Sequence, residues 1–216
     1  MAQSQVSLCN KALARIGFGQ SIAAITDSSA PARACESMYE DVRQSMLRER
    51  PWPFAQRYTT LALVASDPNP EWAYAYRYPA SYLKIYRLIN ETGTIPTSGG
   101  TIYDYLGLTY TPSNLQQNAW QTGSDTQGLL IYTDLKDAIA VGTWDVDDEG
   151  LWDPMFGDAF AWRLAYEIAP RLTKDAGVTD RALQMYEMAV QRAMASSLNE
   201  ASPKDAQEDG FTASRN

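Results

Sequence analysis

Apolar residues recur along this chain with two different periods, and each change of period marks a boundary. Residues 5–17, QVSLCNKALARIG, place Val6, Cys9, Leu13 and Ile16 on one helical face, and Gly17 closes the run. Ser28, Ser29 and Pro31 open a second helix, since proline fits a first turn where its missing N–H is not needed. Its apolar stripe is Cys35, Met38, Tyr39, Val42 and Met46, with Glu40, Asp41, Arg43, Arg48, Glu49 and Arg50 expected on the outer side. Pro51 and Pro53 stop this helix and force Arg50 and Trp52 into extended geometry. Trp52 and Phe54 are thereby held at a rigid corner, as anchors that pack a helical layer onto the next part of the chain.

The period then drops to two. Residues 56–65, QRYTTLALVA, alternate as a strand, and SDPNP is a turn. WAYAYRYP sets Trp72, Tyr74, Tyr76 and Tyr78 against Ala73, Ala75 and Arg77, so four rings share one face. Residues 82–89 and 129–133 are further strands, 134–143 is either strand or helical turn, and 90–128 is rich in Gly and Pro with only short strands. Helical period returns at Met155 and lasts to Thr173, with Asp153 as the cap. One stripe is Phe156, Phe160, Leu164, Ile168 and Leu172, a second is Ala161, Ala165 and Ala169, and Trp162 with Tyr166 form a third. A helix this apolar around its circumference is covered on more than one side. Pro170 should kink or tighten its last turn. Asp180 is expected to cap a final helix over 181–197, and the remainder is too polar to fold alone. The expected class is α+β: a bundle of about four helices from residues 1–54 and 144–198, an inserted antiparallel β domain at 55–143, and a flexible tail at 199–216.

Charge and chemistry narrow the function. The 216 residues carry 26 acidic against 18 basic groups, a net charge of −8, and no Lys/Arg run. Binding nucleic acid through its phosphates needs a basic face, which is absent. An acidic surface suits passage of DNA without sticking, and equally suits plain solubility. No histidine occurs, which removes Ser-His-Asp and Cys-His catalysis and every His-containing metal site. Cys9 and Cys35 read as small reduced core residues of a cytosolic protein, with a disulfide as the minor alternative. No segment has the apolar length of a membrane span, and no signal-peptide pattern opens the chain. DVDDEG sets Asp145, Asp147, Glu149 and Gly150 at calcium-loop positions, but Phe156 stands where the bidentate Glu belongs. An acidic turn before a helix is the simpler reading. No phosphate-cradling glycine motif is present. The expectation is no catalytic, metal or cofactor site.

Three stretches, in order, resemble the head-to-tail adaptor family of short-tailed bacteriophages, also called tail tubular protein A. They are helix 28–50 ending in RPWPFA and running into TTLAL; EWAYAYRYPASYLKIYRL; and LLIYTD followed by DPMFGDAFAWRLAYEIAPRLTKD. LCNKALARIG fits as well, so the resemblance spans about residues 5–195. Residues 90–128 and the C-terminal tail match no motif of that family. The resemblance implies a structural virion protein rather than an enzyme: a homo-oligomeric ring, typically twelve-fold, between the portal and the tail nozzle, through which DNA leaves the capsid. Its place would be the portal–tail junction of the virion, after assembly in the host cytoplasm. Phe156, Phe160, Ala161, Leu164, Ala165 and Ile168 then become subunit-interface candidates, and Trp52 and Phe54 the joint between ring body and β domain. The C-terminal extension would dock on the portal, with Phe211 and Arg215 as contacts. Two readings from other classes compete: a carbohydrate- or receptor-binding module using the 72–78 rings, and a small hydrolase using two carboxylates.

Overall fold

A computed structural model describes residues 3–64, 69–89, 102–103, 109–110 and 119–199. The chain divides into two units: residues 3–36 with the segment from Asp153 onward, and the intervening residues 37–152. Among the described residues there are four α-helices and antiparallel sheets, two of them three-stranded, so the class is α+β.

The helical unit begins with α1 (Gln5–Arg15). The Ser4 hydroxyl accepts from the Ser7 N–H, and the Ser7 hydroxyl accepts from the Ser4 N–H, so the first turn is capped reciprocally. The helix ends where Gly17 adopts φ +73°, a left-handed conformation that costs glycine little. Leu8, Cys9, Ala12 and Leu13 are its buried face, rotated slightly from the expected stripe. Asn10 clamps the loop after the helix: its Nδ2 donates to the Ile22 carbonyl and its Oδ1 accepts from the Ile22 N–H. The central helix is α3 (Pro154–Leu172), with Asp153 accepting from the N–H groups of Met155 and Phe156. It runs through Pro170 and ends at Thr173, which bonds the Ala169 carbonyl with both its N–H and its hydroxyl. The last helix, α4 (Ala176–Asn199), starts a turn earlier than expected. Asp175, not Asp180, meets its first N–H groups, at 2.8 Å to Gly177. Both α1 and α4 pack on α3.

Helix α2 (Ala30–Glu49) belongs to both units, since the division falls between Glu36 and Ser37. The expected division lay at 54/55 and 143/144. It moves because most of α2 and the 144–152 segment are tied to one another. Tyr39 Oη donates to Glu149 at 2.8 Å, and Arg43 pairs with Asp145.

In the 37–152 unit, one sheet has the order β1-β8-β3, with β1 at Gln56–Thr60, β3 at Tyr82–Ile89 and β8 at Ile139–Trp144. The other has the order β2-β7-β6, with β2 at Tyr74–Arg77, β6 at Trp120–Asp125 and β7 at Gly128–Thr133. A short ladder, β4 (Ile102–Tyr103) with β5 (Thr109–Tyr110), lies in the connection. Residues 134–143, open between strand and helical turn from sequence, contain the start of the central strand β8. The 56–65 strand is shorter than expected, and beyond Thr60 it continues only as a bridge from Leu63 to Tyr76. The core of this unit draws on both sheets: Tyr82, Ile85, Leu88 and Ala140 from one, Tyr76 and Ile131 from the other, with Leu61, Leu135 and Ala138 from the connections.

Candidate functional site

The six subunit-interface candidates all sit on α3. Phe156, Phe160, Ala161, Leu164, Ala165 and Ile168 are each fully buried in the single chain. This corrects the expectation of an inter-subunit face: α1 and α4 of the same chain supply the covering helices, and no surface of these side chains is left for a second copy. The third stripe is partly taken up by cations. Arg15 lies 4.3 Å from the Trp162 ring centre and pairs with Asp158, while Arg163 pairs with Glu167 at 3.0 Å and lies over the Tyr166 and Tyr186 rings.

The anchors behave differently from expectation in one respect. Trp52 has the extended conformation that the two prolines demand, at φ −79° and ψ 126°. It is buried, its Nε1 donates to the Met46 carbonyl at 2.9 Å, and its ring centre lies 6.3 Å from that of Phe54. Both rings, however, lie inside the 37–152 unit rather than at its boundary. They hold the end of α2 to the start of β1, within one unit.

The ring ladder is mostly core. Tyr76 is 2% exposed, and its hydroxyl donates to the Leu135 carbonyl at 2.9 Å. Tyr74 and Tyr78 are half-buried against the same core, and Trp72 precedes β2 rather than lying in it. Ala75, on the opposite side of the strand, is buried too, so β2 is covered on both faces. Burial pushes the phenols of Tyr76, Tyr78 and Tyr82 above the ordinary tyrosine value. A sugar-stacking platform needs exposed ring faces, and the four rings do not form one.

The acidic turn is occupied by the chain's own donors. Asp145 binds the Arg43 guanidinium and accepts from Gln44 Nε2 at 3.1 Å; Asp148 accepts from the Gly150 N–H at 2.8 Å; Glu149 takes the Tyr39 hydroxyl; Asp153 caps α3. Arg43, expected on the outer face of α2, is only 4% exposed. Desolvation alone would lower the pKa of its guanidinium, but hydrogen bonds and charge from Glu40 and Asp145 outweigh burial and raise it. Among the described residues, no three or more acidic or thiol side chains are grouped to hold a metal ion, and no helix is long and apolar enough to cross a membrane. Phe211 and Arg215 lie outside the described residues.

One charged pair carries a pH prediction. Arg77 on β2 donates through both terminal nitrogens to Asp125, at 2.8 and 2.9 Å, beside the β6–β7 turn. The Arg77 hydrogen bonds hold the Asp125 carboxyl at about 2, against an ordinary 3.8. A depressed carboxylate adds stability above its unfolded value, and that contribution fades as pH falls through the folded one. Asp125 should therefore titrate near pH 2 by carboxyl NMR in the folded chain. In an Arg77→Gln variant its midpoint should return toward the ordinary range. An ordinary midpoint in the unsubstituted chain would remove the pair from any account of acid stability.

No protein-family model matches the chain, and no curated protein sequence is significantly similar to it.

Proposed function

We propose that this chain is a structural virion protein, a head-to-tail adaptor whose copies form a ring between a phage portal and a tail nozzle. The observation that carries the reading is the order of parts. Both ends of the described chain contribute to one helical unit, and the unit of residues 37–152, which takes in most of α2 together with the aromatic-rich sheets, is inserted within it. A helical unit interrupted by an aromatic-rich insertion is in keeping with the three stretches that resemble the adaptor family, with the insertion taking in more of α2 and of 144–152 than those stretches imply. The acidic balance supports it as well, since a net charge of −8 lets DNA pass a lumen without adhering.

With the inner face of α3 consumed by the fold, contacts between copies fall to exposed groups. Among the described residues the large apolar ones are Tyr58, Leu63, Leu129 and Leu151 in the 37–152 unit, Met155 at the start of α3 and Met188 on α4. A head-to-tail ring uses two different patches that close by rotation, so no single self-complementary patch is required. Residues 199–216, with Phe211 and Arg215, are the proposed portal-docking segment. Native mass measurement and negative-stain imaging test the reading, on the chain alone and after mixing with portal protein. The expected result is a ring, typically of twelve copies, in at least the second condition. A strict monomer in both would sink the adaptor reading.

A further inference from the structure

Charge in the 37–152 unit is sorted by sign along α2 and β3. The strands of the β1-β8-β3 sheet carry Arg57, Lys84 and Arg87 and no aspartate or glutamate. The end of α2 lies against the same β3: Arg48 donates to the Leu83 carbonyl, and the Arg50 carbonyl accepts from the Tyr86 hydroxyl at 3.4 Å. Arg48 and Lys84 are exposed and Arg87 is half-buried. Among the described residues, none of these three has a carboxylate within ion-pair reach. The Arg87 Nε is covered and makes no hydrogen bond. The other sign collects at the far end. Tyr39 and Arg43 of α2 bond the acidic turn through Glu149 and Asp145, whereas Arg48 meets β3 nine residues after Tyr39, about 14 Å further along the helix axis. Strand β3 has the same polarity. Its first residue, Tyr82, pairs with Trp144 beside the acidic turn, and Arg87 stands five residues on, about 16 Å away. Asp147 and Asp148 are exposed at the acidic end, and Arg43 is already taken by Glu40 and Asp145. Each end also shows an apolar group to solvent: Leu151 is 55% exposed in the segment that leaves the acidic turn, and Tyr58, which with Arg87 flanks Val141 across the sheet, is 57% exposed.

We propose that the basic pole, Arg48, Lys84 and Arg87 with Tyr58, docks on the acidic pole, Asp147 and Asp148 with Leu151, of a second copy of this chain. The inference rests on the ring reading and names the two patches that the ring would join. Charge complementarity selects the occupant, because cations without partners on one end answer exposed carboxylates on the other end of the same unit. Two different patches at opposite ends of one body make a heterologous contact, which repeats from copy to copy and is completed only by rotational closure. Docking gives the Arg87 Nε an acceptor and removes the apolar surface of Tyr58 and Leu151 from water.

The test reverses one pole at a time in the full-length chain, with circular dichroism as the check on folding. One variant carries Lys84→Glu and Arg87→Glu. The other carries Asp147→Lys and Asp148→Asn, which keeps an acceptor for the Gly150 N–H. Should Arg87→Glu disturb the sheet, Lys84→Glu alone serves for the basic pole. Native mass and sedimentation are read for each chain alone and with portal protein. Each variant by itself should need about tenfold or more protein to assemble. An equimolar mixture of the two should assemble like the unsubstituted chain, because native patch then meets native patch and reversed meets reversed. Added salt should weaken assembly of the unsubstituted chain. Rings that form equally well from both variants would overturn the assignment and leave the ring reading standing, as would a mixture of folded variants that stays apart. Binding of a labelled DNA duplex by the unsubstituted chain but not by the Lys84 and Arg87 variant, with assembly unchanged, would give the basic pole to phosphates instead. An unsubstituted chain that stays monomeric with portal protein would remove ring and contact together.

Discussion

A Trp52→Ala chain should lose about 3–5 kcal/mol of stability in the 37–152 unit, the range for removing a large buried ring. Three effects add. Trp52 is 1% exposed, so its whole ring volume becomes a cavity or must be refilled by neighbours. The Met46 carbonyl, which receives the indole N–H, loses its side-chain donor in a dry environment. The corner also loses the element that Pro51 and Pro53 position. Trp52→Phe is the milder change, because it keeps a buried aromatic ring while removing the N–H and the atoms by which indole exceeds phenyl; it should cost about 2–3 kcal/mol, less than Trp52→Ala. Urea unfolding followed by circular dichroism and by tyrosine fluorescence reads both variants. A loss under about 1 kcal/mol for Trp52→Ala would mean that the corner is held by the backbone and not by the ring.

The second large effect is expected from the smallest change. Gly142 lies in the middle of β8, the strand between β1 and β3. A Cβ added there would stand 2.1 Å from the Lys84 carbonyl oxygen and 2.8 Å from the Ile85 Cα. These are backbone atoms of β3 and cannot swing aside as a side-chain tip can. The pairing of β3 with β8 is already irregular on both sides, between Tyr82 and Lys84 and between Ile85 and Arg87, and β3 approaches closely at this point. Gly142→Ala should cost about 3 kcal/mol, at the upper end of overpacking effects, and should accelerate amide exchange along β3 and β8. Gly19→Ala is the matched control. No atom lies within 4 Å of its added Cβ, and its effect should stay within about 0.5 kcal/mol. Equal effects at the two positions would show that the close approach at Gly142 is not a constraint.

Periodicity served the helices well and their surroundings poorly. The stripes on α3 are where the spacing of Phe156, Phe160, Leu164 and Ile168 puts them, all buried. What an apolar circumference does not encode is whose side chains cover it. The same stripes fit a helix wrapped by its own chain or by a neighbour, and here α1 and α4 are the cover. Arg43 departs from expectation for a related reason. It stands four residues after Tyr39 and three before Met46, so it flanks the buried stripe. Its burial depends on Asp145, which is remote in sequence and carries no mark there as its partner. Asp180 stands just before the apolar period of α4 begins, which makes it look like the cap, whereas Asp175 does the bonding and the helix opens through Ala176, Gly177, Val178 and Thr179, which lie ahead of the buried stripe. The ring alternation around β2 was legible. A half-buried sheet face is the favoured expectation for these rings; what the alternation does not encode is cover on the opposite face as well, which the burial of both Ala75 and Tyr76 requires.

The split membership of the helical unit has a consequence for synthesis on the ribosome. Helix α1 emerges first, yet α3 and α4, the helices with which it shares a unit, lie beyond residue 153. At about 5–20 residues per second, the intervening segment takes on the order of ten seconds to appear. During that interval Leu8, Cys9, Ala12 and Leu13 have no α3 to cover them. The 37–152 segment, contiguous and with its own core, can meanwhile close behind the exit tunnel. The nascent chain thus matures from its middle outward, and the amino-terminal helix is the piece that must wait, exposed to whatever holdase the cell provides.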